Sequence, residues 1–183
     1  MRPPQLPLDV DPATGVWRAD GSPVILVPRH FLMGTYKAFE EALGTEGYAR
    51  VIEQAGRAAA RSWCVQQAEH YGLKGIAILE HYLARISQRG WGQFSLRKHD
   101  LMAGTARVEL RHSAFVLTHE PADDVRQCAV FESWIAAGLE VCCEQMGMPK
   151  KLIAREVQCA GERHASHCEF HATPIEPIRL HVE

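Results

Sequence analysis

Glu156-Val157-Gln158-Cys159-Ala160-Gly161-Glu162-Arg163-His164-Ala165-Ser166-His167-Cys168-Glu169-Phe170 reads as strand, tight turn, strand. These fifteen residues gather two cysteines, two histidines and three carboxylates, the side chains that bind metals or thiol-reactive partners. An antiparallel hairpin brings Cys159 and Cys168 side by side. A thiolate pair beside the carboxylate of Glu156 is a partial tetrahedral shell for zinc, and His164 or His167 in the turn can supply a fourth ligand. The spacing is wider than the tight pairs of a zinc ribbon, so on spacing alone three readings stand open. They are a metal site, two half-buried thiols under solvent-facing histidines, and a redox disulfide.

Working outward, Val125, Cys128, Phe131, Ile135, Leu139, Cys142 and Met146 step along one face of a helix before the hairpin. That helix starts at Pro121-Ala122-Asp123-Asp124, with acids in its first turn, and stops at Gly147. Upstream of it the period shortens toward two. Gln93–His99 and 105–117 predict two or three antiparallel strands, with turns near Met102-Ala103-Gly104 and Arg111-His112.

Earlier still the period is helical: a stripe of Phe31, Tyr36, Phe39 and Leu43 stopped by Gly44, and a second helix from Thr45 to Tyr71 ended by Gly72. A third runs from Lys74 to Gln88. Gly56 with the alanines at 58–60, and Ala136-Ala137-Gly138, leave room for close helix crossings. Residues 1–23 hold five of the ten prolines and two turn signals. They predict an extended arm with little regular structure, anchored to the body by Trp17. Helices apart from strands in this order predict an α+β, two-layer fold: an antiparallel sheet with helices packed on one face. The expected division is an arm at 1–28, one domain at 29–174 and a tail at 175–183.

With 183 residues, 46% of them hydrophobic and 23% charged, the chain has the composition of a globular domain with one core. A formal charge of −2 without a Lys/Arg cluster argues against a nucleic-acid partner. No apolar run reaches the length of a membrane span, and the expected location is cytoplasmic. There, six cysteines read as buried thiols or metal ligands before disulfides. No Gly-rich phosphate loop, serine nucleophile elbow or dinucleotide fingerprint is present. His81, His112, Phe131 and Trp134 are the candidate lining of a ligand pocket, with Trp63 and Trp91 as further aromatic candidates.

Trp134-Ile135-Ala136-Ala137-Gly138, then Arg155-Glu156-Val157-Gln158-Cys159-Ala160-Gly161, then His167-Cys168-Glu169-Phe170 resemble the signature of the 4-vinyl reductase domain family. That signature is W-x-x-x-G on a helix, E-x-x-C, a glycine-containing turn, and C-x-F. The resemblance covers about residues 120–172; residues 30–118 share only the element order, and 1–28 lie outside. It implies a fold similar to TRAPP vesicle-tethering subunits, a homodimer, and an apolar pocket between sheet and helices for a small apolar or aromatic metabolite.

In phenol-sensing activators of this kind the resemblance further implies a structural Zn²⁺, held by a Glu, two hairpin cysteines and an earlier cysteine. Glu156, Cys159 and Cys168 match three of these ligands. Ser133 stands where the earlier cysteine belongs, so the site either has no metal or is completed by His164, His167 or Cys128. The expected function is a non-catalytic sensor, carrier or accessory domain. The alternatives are a tetrapyrrole-binding accessory protein or reductase of (bacterio)chlorophyll-type 4-vinyl chemistry, and a protein-interaction module without ligand.

Overall fold

Ala106, Val108 and Leu110 are buried, while Arg107, Glu109 and Arg111 between them face outward, the period-two pattern of a strand with one wet face. The computed structural model describes residues 8–116, 128–162 and 165–175. Its elements in chain order are β1 (Leu8–Val10), β2 (Trp17–Ala19), β3 (Ser22–Val24), α1 (Arg29–Tyr71), α2 (Ile76–Gln88), β4 (Gln93–Asp100), β5 (Thr105–Arg111), α3 (Val130–Gln145), β6 (Leu152–Gln158) and β7 (Cys168–Pro174). The fold is α+β. Four antiparallel strands lie in the order β4-β5-β7-β6, and α2 and α3 cover their apolar face.

The opposite face is charged. Arg97 and Arg111 converge on Glu109, and Arg107 and His171 on Glu169. Such exposed pairs contribute little stability, but they keep that face in water. The core proper is Val108, Leu110, Leu152 and Phe170 from the sheet against Phe131, Ile135 and Leu139 of α3 and Ile78 and Leu79 of α2.

The break at Gly44 is real: its φ of 68° and ψ of 163° interrupt α1 at the residue the periodicity marks. Gly72 then closes the helix in the left-handed conformation, and Leu73 N–H donates back to Ala68 O at 3.0 Å. The second half of α1 crosses α3 at Gly56. A Cβ there would meet Ser133 Oγ and lie 2.7 Å from Trp134 Nε1. Ser133 is thus a helix-crossing residue, its hydroxyl bonded to Val130 O at 3.1 Å. Gly56→Val should destabilise the protein by about 1–3 kcal/mol through overpacking. Urea denaturation measures it, and an unchanged midpoint would contradict the crossing. Beside this crossing, Arg57 pairs with buried Glu140 at 3.0 Å and donates to Leu152 O at 3.1 Å, tying α1, α3 and β6 together.

Two expectations are corrected. Within the arm, residues 8–24 form a three-stranded antiparallel meander, β1-β2-β3. Trp17, expected as its anchor, is 37% exposed. Asp20 ties the meander to the body from the tight turn between β2 and β3, where Asp20 and Gly21 take φ of 51° and 75°. The Asp20 carboxylate is fully buried between Arg85, at 3.1 Å, and Arg89, at 3.5 Å. It also accepts Tyr71 O–H at 3.3 Å, while Gln67 Nε2 donates to Asp20 O at 3.2 Å. Second, Ala114 and Phe115 are not strand residues. They turn inward after β5, where His112 takes φ of 54°. The start of the long helix expected at Pro121–Asp124 and Val125 lies outside the described residues.

Candidate metal centre

Cys128 precedes α3, Glu156 is near the end of β6, Cys159 follows β6 and Cys168 opens β7; all four are buried. The sequence turns them inward by an irregularity in the β6–β7 ladder. Glu156 pairs with Phe170 but Gln158 with Glu169, so one extra residue is inserted at Val157. Simple alternation would send Cys159 to the opposite face from Glu156. The bulge restores it to the same one. Val157 is pushed out into solvent.

The four ligand atoms lie within 4.8 Å of one another, and Cys128 Sγ is 3.6 Å from Cys168 Sγ. Two sulfurs at about 2.3 Å from one tetrahedral ion stand about 3.8 Å apart, so the spacing fits zinc. Hydrogen-bond donors stand at the sulfurs. Ala160 N–H donates to Cys168 Sγ at 3.2 Å and Gly161 N–H to Cys159 Sγ at 3.5 Å, while Ser113 Oγ sits 3.0 Å from Cys128 Sγ. Glu156 Oε2 accepts Cys128 N–H at 3.1 Å, but Oε1 is buried with no hydrogen-bond partner. A buried carboxylate oxygen left without a donor is one a cation can claim. Three thiols and a carboxylate with one orphaned oxygen fit a divalent zinc-type ion.

The electrostatics agree. Burial, followed by the neighbouring Cys159, pushes Glu156 up to about 8 in the absence of a cation. Contacts with Cys159 and Cys168, then burial, carry Cys128 well above the ordinary thiol range. Cys128, Glu156 and Cys168, acidic groups in one dry spot, resist ionising until a positive charge joins them. A carboxyl whose folded pKa exceeds its unfolded value binds its proton more tightly when folded. Chelator-treated protein should therefore lose stability as pH rises from about 4.5 to about 8. Glu156→Gln should flatten that slope in thermal melts. A slope of the opposite sign, or one unchanged in the variant, would contradict this reading.

Of the residues expected at the hairpin, the structure joins Glu156, Cys159 and Cys168. The fourth place is taken by Cys128, one of the three completions left open by the sequence. His167 turns aside to Ser166 Oγ, 3.0 Å away, and toward Glu169 at 3.9 Å. His164 lies outside the described residues.

The expected pocket residues separate. His81 meets Gln67 Oε1 at 3.2 Å and stacks on Trp63, and burial lowers its pKa. His112 is exposed on its turn. Phe131 and Trp134 form an aromatic cluster with Trp91, their ring centroids 5.0–6.0 Å apart. Trp91 in turn lines a cavity of about 560 Å³ between the meander, the start of α1 and the loop after α2, with Leu32, Met33 and Ala114. Sequence periodicity gives no sign of this cavity, because its walls come from four separate segments.

Two of the solved structures similar to this chain illustrate the shared fold. The phenol-responsive sensory domain of the transcription activator PoxR, solved with phenol, superposes with a TM-score of 0.73 at 16% identity, covering 91% of this chain and 84% of that one. A trafficking protein particle complex subunit 3 from Naegleria fowleri, covalently bound to palmitic acid, gives 0.55 at 10% identity, covering 82% and 97%. At these identities the likeness concerns the fold. No curated protein matches the chain. A family model described as "Domain of unknown function (DUF5943)" matches residues 1–97, which takes in the meander, α1 and α2 and stops before the metal-type cluster.

Proposed function

The chain belongs to the DUF5943 family, and we propose that it is a non-catalytic small-molecule-binding domain, a sensor or carrier similar to the 4-vinyl reductase family. The observation that carries the proposal is the buried Cys128, Glu156, Cys159 and Cys168 cluster at the foot of the helix that supports the cavity. A bound Zn²⁺ would supply a cross-link of fixed geometry rather than reactivity. Its residues join the lead-in to α3 to both strands of the hairpin. Phe131 lies three residues beyond Cys128 and Trp134 one turn further, so the clasp sets the aromatic floor on which Trp91 rests. Ser113, beside Cys128 Sγ, also fixes the turn carrying Ala114, a wall of the cavity.

The cavity falls in the range that encloses small metabolites, about 300–1,000 Å³, and most of its walls are apolar. The PoxR domain, which has this fold and was solved with phenol, supports a small ligand here. We further propose a homodimer in the cytoplasm. Phe31, Phe39, Leu43 and Val51 of α1 are each about half exposed or more, an apolar run that a second copy would cover. No helix among the described residues is long and apolar enough to cross a membrane.

Native mass spectrometry of the purified protein tests the reading. A co-purifying or added small molecule held at one per chain is the expected result. A protein that retains and accepts no small molecule would overturn it in favour of an interaction module. A strong visible absorption band would instead point to a tetrapyrrole ligand.

A further inference from the structure

The anchor that fastens the meander leaves an unbalanced charge beside the cavity. Arg85 and Arg89 face a single buried carboxylate, that of Asp20. The neighbouring His81 is held toward its neutral form by burial and by Arg85. Its other contacts are the amide of Gln67 and the ring of Tyr71. The surplus is one guanidinium, and Arg89 shows it. Its Nη2 reaches the Asp20 carboxylate only at 3.5 Å, its Nε is buried without a hydrogen-bond partner, and its ring-side contact is the face of Trp63 at 5.1 Å. A surplus charge out of water is costly unless an anion joins it.

Arg89 also lines the cavity, as does Arg29, whose guanidinium donates to Gly90 O at 3.2 Å across the same mouth. Apart from Gln88, the remaining side chains of the wall are apolar, among them Val24, Leu26, Leu32, Met33 and Trp91. A mostly apolar chamber with one largely buried positive charge and a second, solvent-screened one at its rim suits a single negative charge on an apolar body. A dianion would need more donors than this wall offers. The planar guanidinium fork matches a carboxylate in particular.

We propose that the cavity binds an apolar monocarboxylate, its hydrocarbon body against Leu32, Met33 and Trp91 and its carboxylate beside Arg29 and Arg89. This rests on the small-molecule-binding reading and narrows it to one ligand class.

Titration calorimetry of the full chain with octanoate, and separately with 1-octanol, tests both levels. Octanoate is expected to bind at one per chain, about tenfold or more tighter than octanol, the ratio for one charge-assisted hydrogen bond. Arg29→Gln, at an exposed position, and Arg89→Lys, which keeps the charge but loses the fork, should each weaken octanoate about tenfold and leave octanol unchanged. Equal binding of octanol and octanoate would overturn the carboxylate assignment and leave the small-molecule reading intact. Octanoate binding untouched by both substitutions would overturn the site. If neither probe binds at millimolar concentration, the assignment falls, and native mass spectrometry then decides whether the small-molecule reading falls with it.

Discussion

Cys168→Ala is expected to lower the melting temperature by about 8–16 °C, the shift that a loss of about 4 kcal/mol produces in a chain of this size. Cys168 opens β7 and stands within 3.6 Å of Cys128, so its removal unties the lead-in of α3 from the hairpin. The size follows from mass action. A structural ion binds the folded state and contributes its affinity to folding. Chelation of the parent protein should therefore reproduce the drop, and chelation of the variant should add nothing. This non-additivity separates loss of metal from loss of packing. A cavity alone would cost the variant stability yet leave the parent indifferent to chelator. Cys142→Ala, at an equally buried cysteine outside the cluster, supplies the control: a packing loss with undiminished sensitivity to chelator.

The second large effect belongs to Asp20. Asp20→Ala strands Arg85 and Arg89 as buried cations without their counter-ion and should cost about 3–5 kcal/mol in urea denaturation. Removing the surplus as well should recover much of the loss, because desolvated charge is the penalty. The double variant Asp20→Ala/Arg89→Leu is expected to be more stable than Asp20→Ala alone. A cost below about 1 kcal/mol for Asp20→Ala would mean that the turn is merely laid on the body. The meander would then be held by apolar contact through Ala19, which is fully buried.

The two sites differ in how visible they are along the chain. The hairpin ligands are close in sequence, and strand alternation with a turn already places Cys159 and Cys168 together. The helices were legible for a similar reason, since the stops at Gly44 and Gly72 are local events written in single residues. Cys128 could be named only as one option of three. Its approach to Glu156, 28 residues further on, depends on how α3 lies over β6 and β7, a matter of packing that no spacing rule encodes.

The meander was missed because proline density masked strands only three residues long. The Asp20-Gly21 pair was readable as a turn, but nothing in the sequence says that the aspartate is swallowed between two arginines of α2 and its C-terminal cap. The pocket residues fared least well. His81 and His112 are polar groups on plausible faces, yet one is stacked on Trp63 and the other faces water. The aromatic expectation was nearer: Phe131 and Trp134 support the cavity through Trp91 without lining it themselves.

The central claim is that three cysteines and one glutamate hold a metal that clasps helix to hairpin. X-ray absorption at the zinc edge on the protein, after reconstitution with one equivalent of Zn²⁺ and removal of unbound ion, tests it most directly. The expected shell is three sulfurs at about 2.3 Å and one oxygen at about 2.0–2.2 Å. A shell containing histidine nitrogen, or no zinc retained, would contradict it.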